Sequence, residues 1–299
     1  MKKTRFLGIL LPVLIGMIVF SCEKSVNDQM LQNEKSGTLT IKITDAPFPS
    51  DLVAEANIKI DMVTIKKSGL NMNVSNMKSD STSMSDTTSF IILSEVADSV
   101  NLLELSNGVT KILTENEIPA GDYNEIRLHI VNASIKLKDG REFDLKVPSG
   151  NASGLKIKIN PTLQITEGMF GQILIDFDIS RSFKAIGNDH SKNGIKGFHF
   201  SPVVRGVNLT LTSGISGIVS DTSNVNIQDA QILLFSGQDT ITSALSATDG
   251  FYAIIGVPAG TYSMECTHAN YDTLKVDNVE VLTGEVTEQN FVLTPTATP

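Results

Sequence analysis

The chain has 299 residues, is 41% hydrophobic with no Trp, and carries a formal net charge of −9. That length exceeds a typical single domain, and the scarcity of aromatics leaves any core to Ile, Leu, Val and Phe, which favours strands. The acidic balance argues against a nucleic-acid partner, because such a surface repels a phosphate backbone.

The first stretch, "MKKTRFLGILLPVLIGMIVFSC", places Lys2, Lys3 and Arg5 before an apolar run from Phe6 to Phe20, and then Ser21-Cys22. This pattern predicts a signal peptide over residues 1–21. The run is shorter than the ~20 residues that span a bilayer, and Pro12 and Gly16 weaken a spanning helix further. Val19, Phe20, Ser21 and Cys22 resemble the lipobox of bacterial lipoproteins, with Phe20 bulkier than is usual at its place. The resemblance implies cleavage before Cys22, a diacylglycerol thioether on its sulfur and acylation of the new N-terminus. A plain secretory signal with an incidental Cys is the alternative. Two or more acyl chains, at ~0.8 kcal/mol per buried methylene, hold a protein on a membrane durably. Cleavage removes three positive side chains, so −9 becomes −12.

Residues 22–36 are polar and aperiodic and predict a flexible tether. Order begins at "GTLTIKITDAP", where Leu39, Ile41 and Ile43 alternate with polar residues, the period of a half-buried strand. "ANIKIDMVTIKK" repeats the pattern, and the Ser/Thr/Asn/Met stretch 71–89 predicts a long exposed loop. "NLLELSNG" has helical spacing for one or two turns. Strands resume through "YNEIRLHIVNASIKLKDGREFDLKV", with Asp139-Gly140 as a two-residue hairpin turn. They continue through "LKIKINPTLQI", "GQILIDFDIS" and "FHFSPVVRGVNLTL", giving about nine strands up to Leu211. After Ser213-Gly214 come short strands at close spacing, the pattern of a small sandwich, and residues 295–299 read as a disordered tail.

One phrase occurs twice: "IPAGDY" from Ile118 and "VPAGTY" from Val257. Pro and Gly fit the second and fourth places of a type I turn, and the Tyr opens an alternating strand. Its hydroxyl is expected to reach backbone near the turn while its ring packs inward.

Candidate chemistry is sparse. "VPSGNASGLK", from Val147 to Lys156, misses the spacing of a phosphate loop and reads as a strand connection. His129, His190, His199 and His268 are scattered, none at zinc-ligand spacing. In "LIDFDIS", Asp176 and Asp178 share one strand face. They are calcium candidates if loops, Asp45 and Asp51 among them, supply further oxygens; otherwise they form a solvated or salt-bridged strand end with Arg181 or Arg127. Cys266 shares a strand face with Tyr262 and Met264 and reads as a buried inert thiol. No catalytic residue, cofactor or resident metal is assigned, and no enzyme is expected.

"LTIKITDAP", "NLLELSNG", "IPAGDYNEIRL", "DLKVPSGNASGLKI", "ILIDFDISRSF" and "FSPVVRGV" together resemble the domain of unknown function 4382 family of secreted and lipid-anchored prokaryotic proteins. That family implies no activity and no ligand. "GISGIVSD", "DAQILL" and "SATDGFYAIIGVPAGTYSMECTHANYD" resemble the carboxypeptidase regulatory-like domains, which implies a transthyretin-like, carbohydrate-binding-like sandwich. Without Trp, a sugar platform there falls to Tyr252, Tyr262, Tyr271 or Phe251, most of which alternation sends to the core. The expectation is an all-β chain: a lipoprotein signal peptide (1–21), a tether (22–36), and two Ig-like or transthyretin-like β-sandwich domains in tandem (37–212 and 213–294). The expected protein is lipid-anchored in a Gram-negative envelope, at the outer membrane, with a non-catalytic binding or structural role. A carbohydrate-binding surface lipoprotein and an adhesin or assembly subunit are the alternatives. Partners are then the membrane, through the lipid, and glycans or other envelope proteins.

Overall fold

Period-two alternation of Ile, Leu and Val with polar residues puts one face of most segments in a core, and the computed structural model is built almost wholly of strands. It describes residues 35–46, 52–68, 90–148, 153–187 and 194–296. The expected leader, Cys22, most of the tether, Asp51, stretch 71–89 and His190 lie outside the described residues.

The first twelve strands are β1 (Ser36–Ala46), β2 (Val53–Lys67), β3 (Phe90–Ser94), β4 (Asp98–Asn101), β5 (Lys111–Pro119), β6 (Gly121–Leu137), β7 (Glu142–Leu145), β8 (Leu155–Ile165), β9 (Phe170–Asp178), β10 (Phe183–Gly187), β11 (Ile195–Phe200) and β12 (Val204–Asn208). Eight follow: β13 (Thr212–Asp221), β14 (Gln231–Ser236), β15 (Asp239–Leu245), β16 (Phe251–Pro258), β17 (Gly260–Thr267), β18 (Leu274–Val281), β19 (Val286–Glu288) and β20 (Phe291–Leu293). Among the described residues twelve strands precede Leu211, against an expectation of about nine. Pro202, which has no N–H to give a ladder, helps split the last run into β11 and β12. The helical spacing of "NLLELSNG" survives as one 3-10 turn, Leu102–Leu105.

Strands β1–β9 and β12 follow the order β3-β2-β6-β8-β12-β9-β1-β5, with β4 on β2 and β7 on β6. The path folds over itself. Ile58, Ile126 and Leu163 from one half share a hydrophobic core with Leu39, Ile173 and Phe177 from the other. The halves are stitched along one edge by two residue pairs between β12 and β8, at Gly206 and Val207. A Cβ at Gly206 would sit 2.7 Å from the Lys158 carbonyl oxygen, so only glycine allows this approach. A separate β10–β11 hairpin adds Phe183 and Phe200, stacked with ring centroids 4.7 Å apart.

A turn at Leu209–Leu211 leads into β13, so the expected boundary at Ser213-Gly214 falls inside a strand. Sheets β16-β13-β19 and β15-β14-β17-β18 then enclose a second core that includes Ile215, Tyr252, Met264 and Phe291. β19 and β20 both run parallel to β13 and act as one interrupted strand. The interruption passes Gly217, where a Cβ would lie 1.9 Å from the Gln289 oxygen. The chain stays paired through Thr296: Pro295 bridges Tyr271, and the Thr296 N–H donates to the Asn270 carbonyl at 2.9 Å. The tail expected to be disordered from residue 295 is therefore tied for its first two residues. At the other end β1 already includes Ser36, which the sequence assigns to the tether.

The duplicated phrase is a corner between packed strand layers. β5 lies beside β1 and β6 beside β2, so at Ala120 the chain crosses from one half of the folded sheet to the other; at Ala259 it passes from the sheet of β16 to that of β17. Each corner is a one-residue bend, at Ala120 or Ala259, because the flanking strands extend into the Pro and the Gly. The Tyr123 hydroxyl donates to the Pro119 carbonyl at 2.6 Å, and that of Tyr262 donates to the Pro258 carbonyl at 2.8 Å. Both rings are buried. The Asp139-Gly140 hairpin differs from expectation by one residue: Leu137 and Arg141 close a three-residue loop, with Gly140 at φ 90°.

Candidate functional site at the seam between the sandwiches

Alternation in "GQILIDFD" sends Ile175 and Phe177 inward and leaves Asp176 and Asp178 facing solvent. The structure instead buries β9 on both faces over most of its length. Ile173, Ile175 and Phe177 enter the first core. Leu174 is fully buried yet belongs to neither core. It faces the second sandwich, where a Cβ on Gly256 would come 3.2 Å from both Leu174 Cδ2 and Val207 Cγ1. Gly256 holds φ +70°, which other residues adopt only under strain. Beside this contact the turn at Asn107 and Gly108 comes against β16, with Ala253 Cβ 3.5 Å from the position of a Gly108 Cβ.

Arg205 organises the seam. It stands opposite Asp176 in the β12–β9 register. Its Nε donates to Asp176 Oδ2 at 2.6 Å, Nη1 to the Gly256 carbonyl at 3.1 Å and Nη2 to the Ile255 carbonyl at 3.3 Å. Thr242 of β15 donates its hydroxyl to the same Asp176 oxygen at 3.2 Å. One planar guanidinium thus binds a carboxylate of its own sandwich and two backbone oxygens of the other, a fork that Lys cannot reproduce.

Asp178 has a local task. Its Oδ1 accepts from the Arg181 N–H at 2.9 Å and the Ser180 hydroxyl at 2.7 Å, capping the turn Ile179–Ser182, and its Oδ2 accepts from Arg181 Nε at 2.6 Å. Asp45, buried at the end of β1, accepts from the Ile179 N–H at 3.1 Å and leaves Oδ2 without a partner. Burial, reinforced by the charges of Asp176 and Asp178, raises its pKa well above the ordinary carboxylate range.

The three acids thus meet, but guanidinium groups engage Asp176 and Asp178. Among the described residues no group of three or more His, Cys, Asp or Glu side chains has a geometry that holds a metal ion. Arg181 is the partner expected for Asp178; Arg127 lies on another face, bonded to Glu125. His129 Nδ1 is 2.5 Å from Asp61 Oδ1, His199 faces outward, and the His268 ring meets Tyr271 edge-on at 5.3 Å. Cys266 is fully buried and its pKa is pushed up to about 12 by that burial.

A cavity of about 370 Å³ opens along the seam, lined by Asn160, Arg205 and Val207 on one side and Ser236, Ile241 and Tyr262 on the other. Tyr262 offers it little as a stacking platform, because its ring is in the second core and its hydroxyl is committed to Pro258. Tyr252 is fully buried, and Phe251 is 40% exposed on the outer face of β16. The residues that sequence reasoning missed are Arg205 and Gly256. A lone Arg inside the apolar run "VVRGV", and the nearly continuous apolar character of β9, were the available signals of a strand covered on both faces.

Geometry and topology together define an all-β protein of two clasped sandwiches. The model of the family described as Domain of unknown function (DUF4382) matches residues 36–202, and the chain belongs to that family. The Carboxypeptidase regulatory-like domain model matches residues 214–294. No curated protein matches the chain. Among solved structures, a candidate carbohydrate-binding protein from Bacteroides uniformis is 17% identical over 28% of this chain and 41% of its own, with a TM-score of 0.25. The Bacillus anthracis TIE protein is 11% identical over 87% of this chain and 34% of its own, with a TM-score of 0.24. The shaft pilin SpaA from Lactobacillus rhamnosus GG is 10% identical over 89% of this chain and 100% of its own, with a TM-score of 0.26. The chain spans less than half the length of the first two.

Proposed function

We propose that the protein is a lipid-anchored component of the cell envelope in which two sandwiches, fixed to one another, play a non-catalytic binding or structural role. The observation that carries the structural part is the Arg205 clasp. A single buried-edge guanidinium ties β9 and β12 to the β16 carbonyls, so the second sandwich is held against the first by more than the Leu209–Leu211 link. A fixed pair suits a spacer or a presenting scaffold. The anchor part rests on the basic residues, apolar run and Ser21-Cys22 of the leader. Among the described residues no helix is long and apolar enough to cross a membrane.

Detergent-phase partition of cells expressing the native chain or Cys22→Ser tests this reading. The native protein is expected in the detergent phase and the variant in the aqueous phase; a variant that stays with the membrane fraction contradicts it. The carbohydrate-binding alternative has the seam cavity in its favour. It calls for retardation on a glycan affinity gel that Ser236 and Asn160 substitutions abolish.

A further inference from the structure

The chain is acidic overall, yet one sheet face is not. Across β3, β2, β6 and β8 the pairing register aligns Phe90, Lys66, Glu125 and Lys158 in one row, and Thr64, Arg127 and Lys156 in the next. Their neighbours Ile65, Ile126 and Ile157 are buried in the core, so by alternation these side chains stand on the outer face. Four cations share this face with one carboxylate, Glu125. Lys158 Nζ lies 3.0 Å from Glu125 Oε2 and Arg127 Nε 3.3 Å from Glu125 Oε1. Burial pushes the Glu125 carboxyl up, but the hydrogen bonds and charges of Lys158 and Arg127 outweigh it and hold the pKa below the ordinary value, so the carboxylate stays ionised. The Arg127 guanidinium also lies over the Phe90 ring, 3.8 Å from its centroid, which fixes it in place. Lys66 and Lys156 have no acidic partner among the described residues. Lys156 and Lys158 are exposed. With strands ~4.8 Å apart, Lys66 and Lys158 are about 10 Å apart at the backbone, and the facet keeps a surplus of positive charge over that span.

The facet stands near the end of the first sandwich at which the described chain begins. Its strands end where the chain enters the sandwich: the Ala120 N–H donates to the Lys35 carbonyl at 2.6 Å, the Gly168 N–H to the Ser36 carbonyl at 2.8 Å and the Ser68 N–H to the Asp122 carbonyl at 2.6 Å. The Glu125 row is four residues along β6 from Gly121, about 13 Å away. Cys22 precedes Lys35 by thirteen residues, which reach at most ~45 Å. A membrane carrying the anchor is within reach of this end.

We infer that the Lys66–Arg127–Lys156–Lys158 facet docks the first sandwich onto a surface of anionic phospholipid headgroups. The rest of the surface, net negative, is repelled by the same membrane, so the facet also sets the orientation of the protein. The inference rests on the lipid-anchored reading only for where the facet is presented.

The test uses the chain from Glu23 onward, which retains the whole compact unit Lys35–Pro299 and lacks Cys22. Co-sedimentation with vesicles of phosphatidylcholine alone, or with about 30% phosphatidylglycerol, is measured at about 50 mM and 150 mM salt. Binding is expected to the anionic vesicles only, weakening as salt rises. It should fall at least about ten-fold in K66E/K156E/K158E. It should fall less in K138E/K184E/K196E, which has the same charge change at exposed positions away from the facet, with circular dichroism showing both variants folded. Equal loss in the two triple variants, no binding to anionic vesicles, or capture of dextran sulfate without vesicle binding would each overturn it. Failure here leaves the Cys22 reading intact, since the tested chain carries no lipid.

Discussion

Replacing Arg205 with Ala removes the guanidinium that bonds Asp176 of the first sandwich and two backbone carbonyls of the second. Asp176, only 6% exposed, would keep a single hydrogen bond from Thr242 and lose its counter-charge. Breaking one half of a buried pair costs about 3–5 kcal/mol, and the Gly256 and Ile255 carbonyls each lose a donor worth about 1 kcal/mol where water does not replace it. These contributions are not additive, so the expected loss is about 3–5 kcal/mol, a large share of the 5–15 kcal/mol typical of folded chains. Urea unfolding followed by circular dichroism would read it, and the two cores should separate into two transitions once uncoupled. Arg205→Met with Asp176→Asn should destabilise by less than the sum of the single changes, because no unpaired charge remains. A loss under about 1 kcal/mol for Arg205→Ala, together with additive behaviour of the pair, would refute the clasp.

Tyr123→Phe and Tyr262→Phe each remove a corner hydrogen bond without changing ring packing, and each should cost about 0.5–1.5 kcal/mol in the same unfolding measurement; no change in either contradicts the corner role. For Asp45 the folded pKa is raised, so the native state keeps a proton that the unfolded chain releases above its ordinary value of 3.8. Stability is therefore lost as pH rises through the native pKa. Asp45→Asn should flatten that slope and gain about 1–3 kcal/mol at pH 7, and a variant less stable there than the native protein counts against the assignment. Cys266, with its pKa at about 12, should resist thiol reagents at about pH 8 until the protein is unfolded; rapid native labelling would show an accessible thiol.

The elements that alternation and turn chemistry determine locally were legible. Leu39, Ile41 and Ile43 are buried as their spacing required, and the repeated Pro-Ala-Gly-x-Tyr phrase correctly announced two tyrosines bonded to their own corners. Which layers these corners join was not legible, because strand pairing is settled by partners distant in sequence. The seam was hidden for a similar reason. Asp176 and Asp178 look like an outward acidic pair until a second sandwich covers that face and Arg205, 29 residues away, stands across from Asp176. Asp45 joins them through the parallel pairing of β1 and β9, a contact over 130 residues that no local pattern encodes. The basic facet escaped notice because its four cations come from three strands whose register is visible only in the folded sheet.

The envelope-anchored reading is tested most directly by the mass of the N-terminal peptide of the protein purified from its native membrane. A peptide that begins at Cys22 and carries a diacylglyceryl thioether and an N-linked acyl chain is the predicted result. A peptide that begins elsewhere, or a Cys22 with a free thiol, would contradict it.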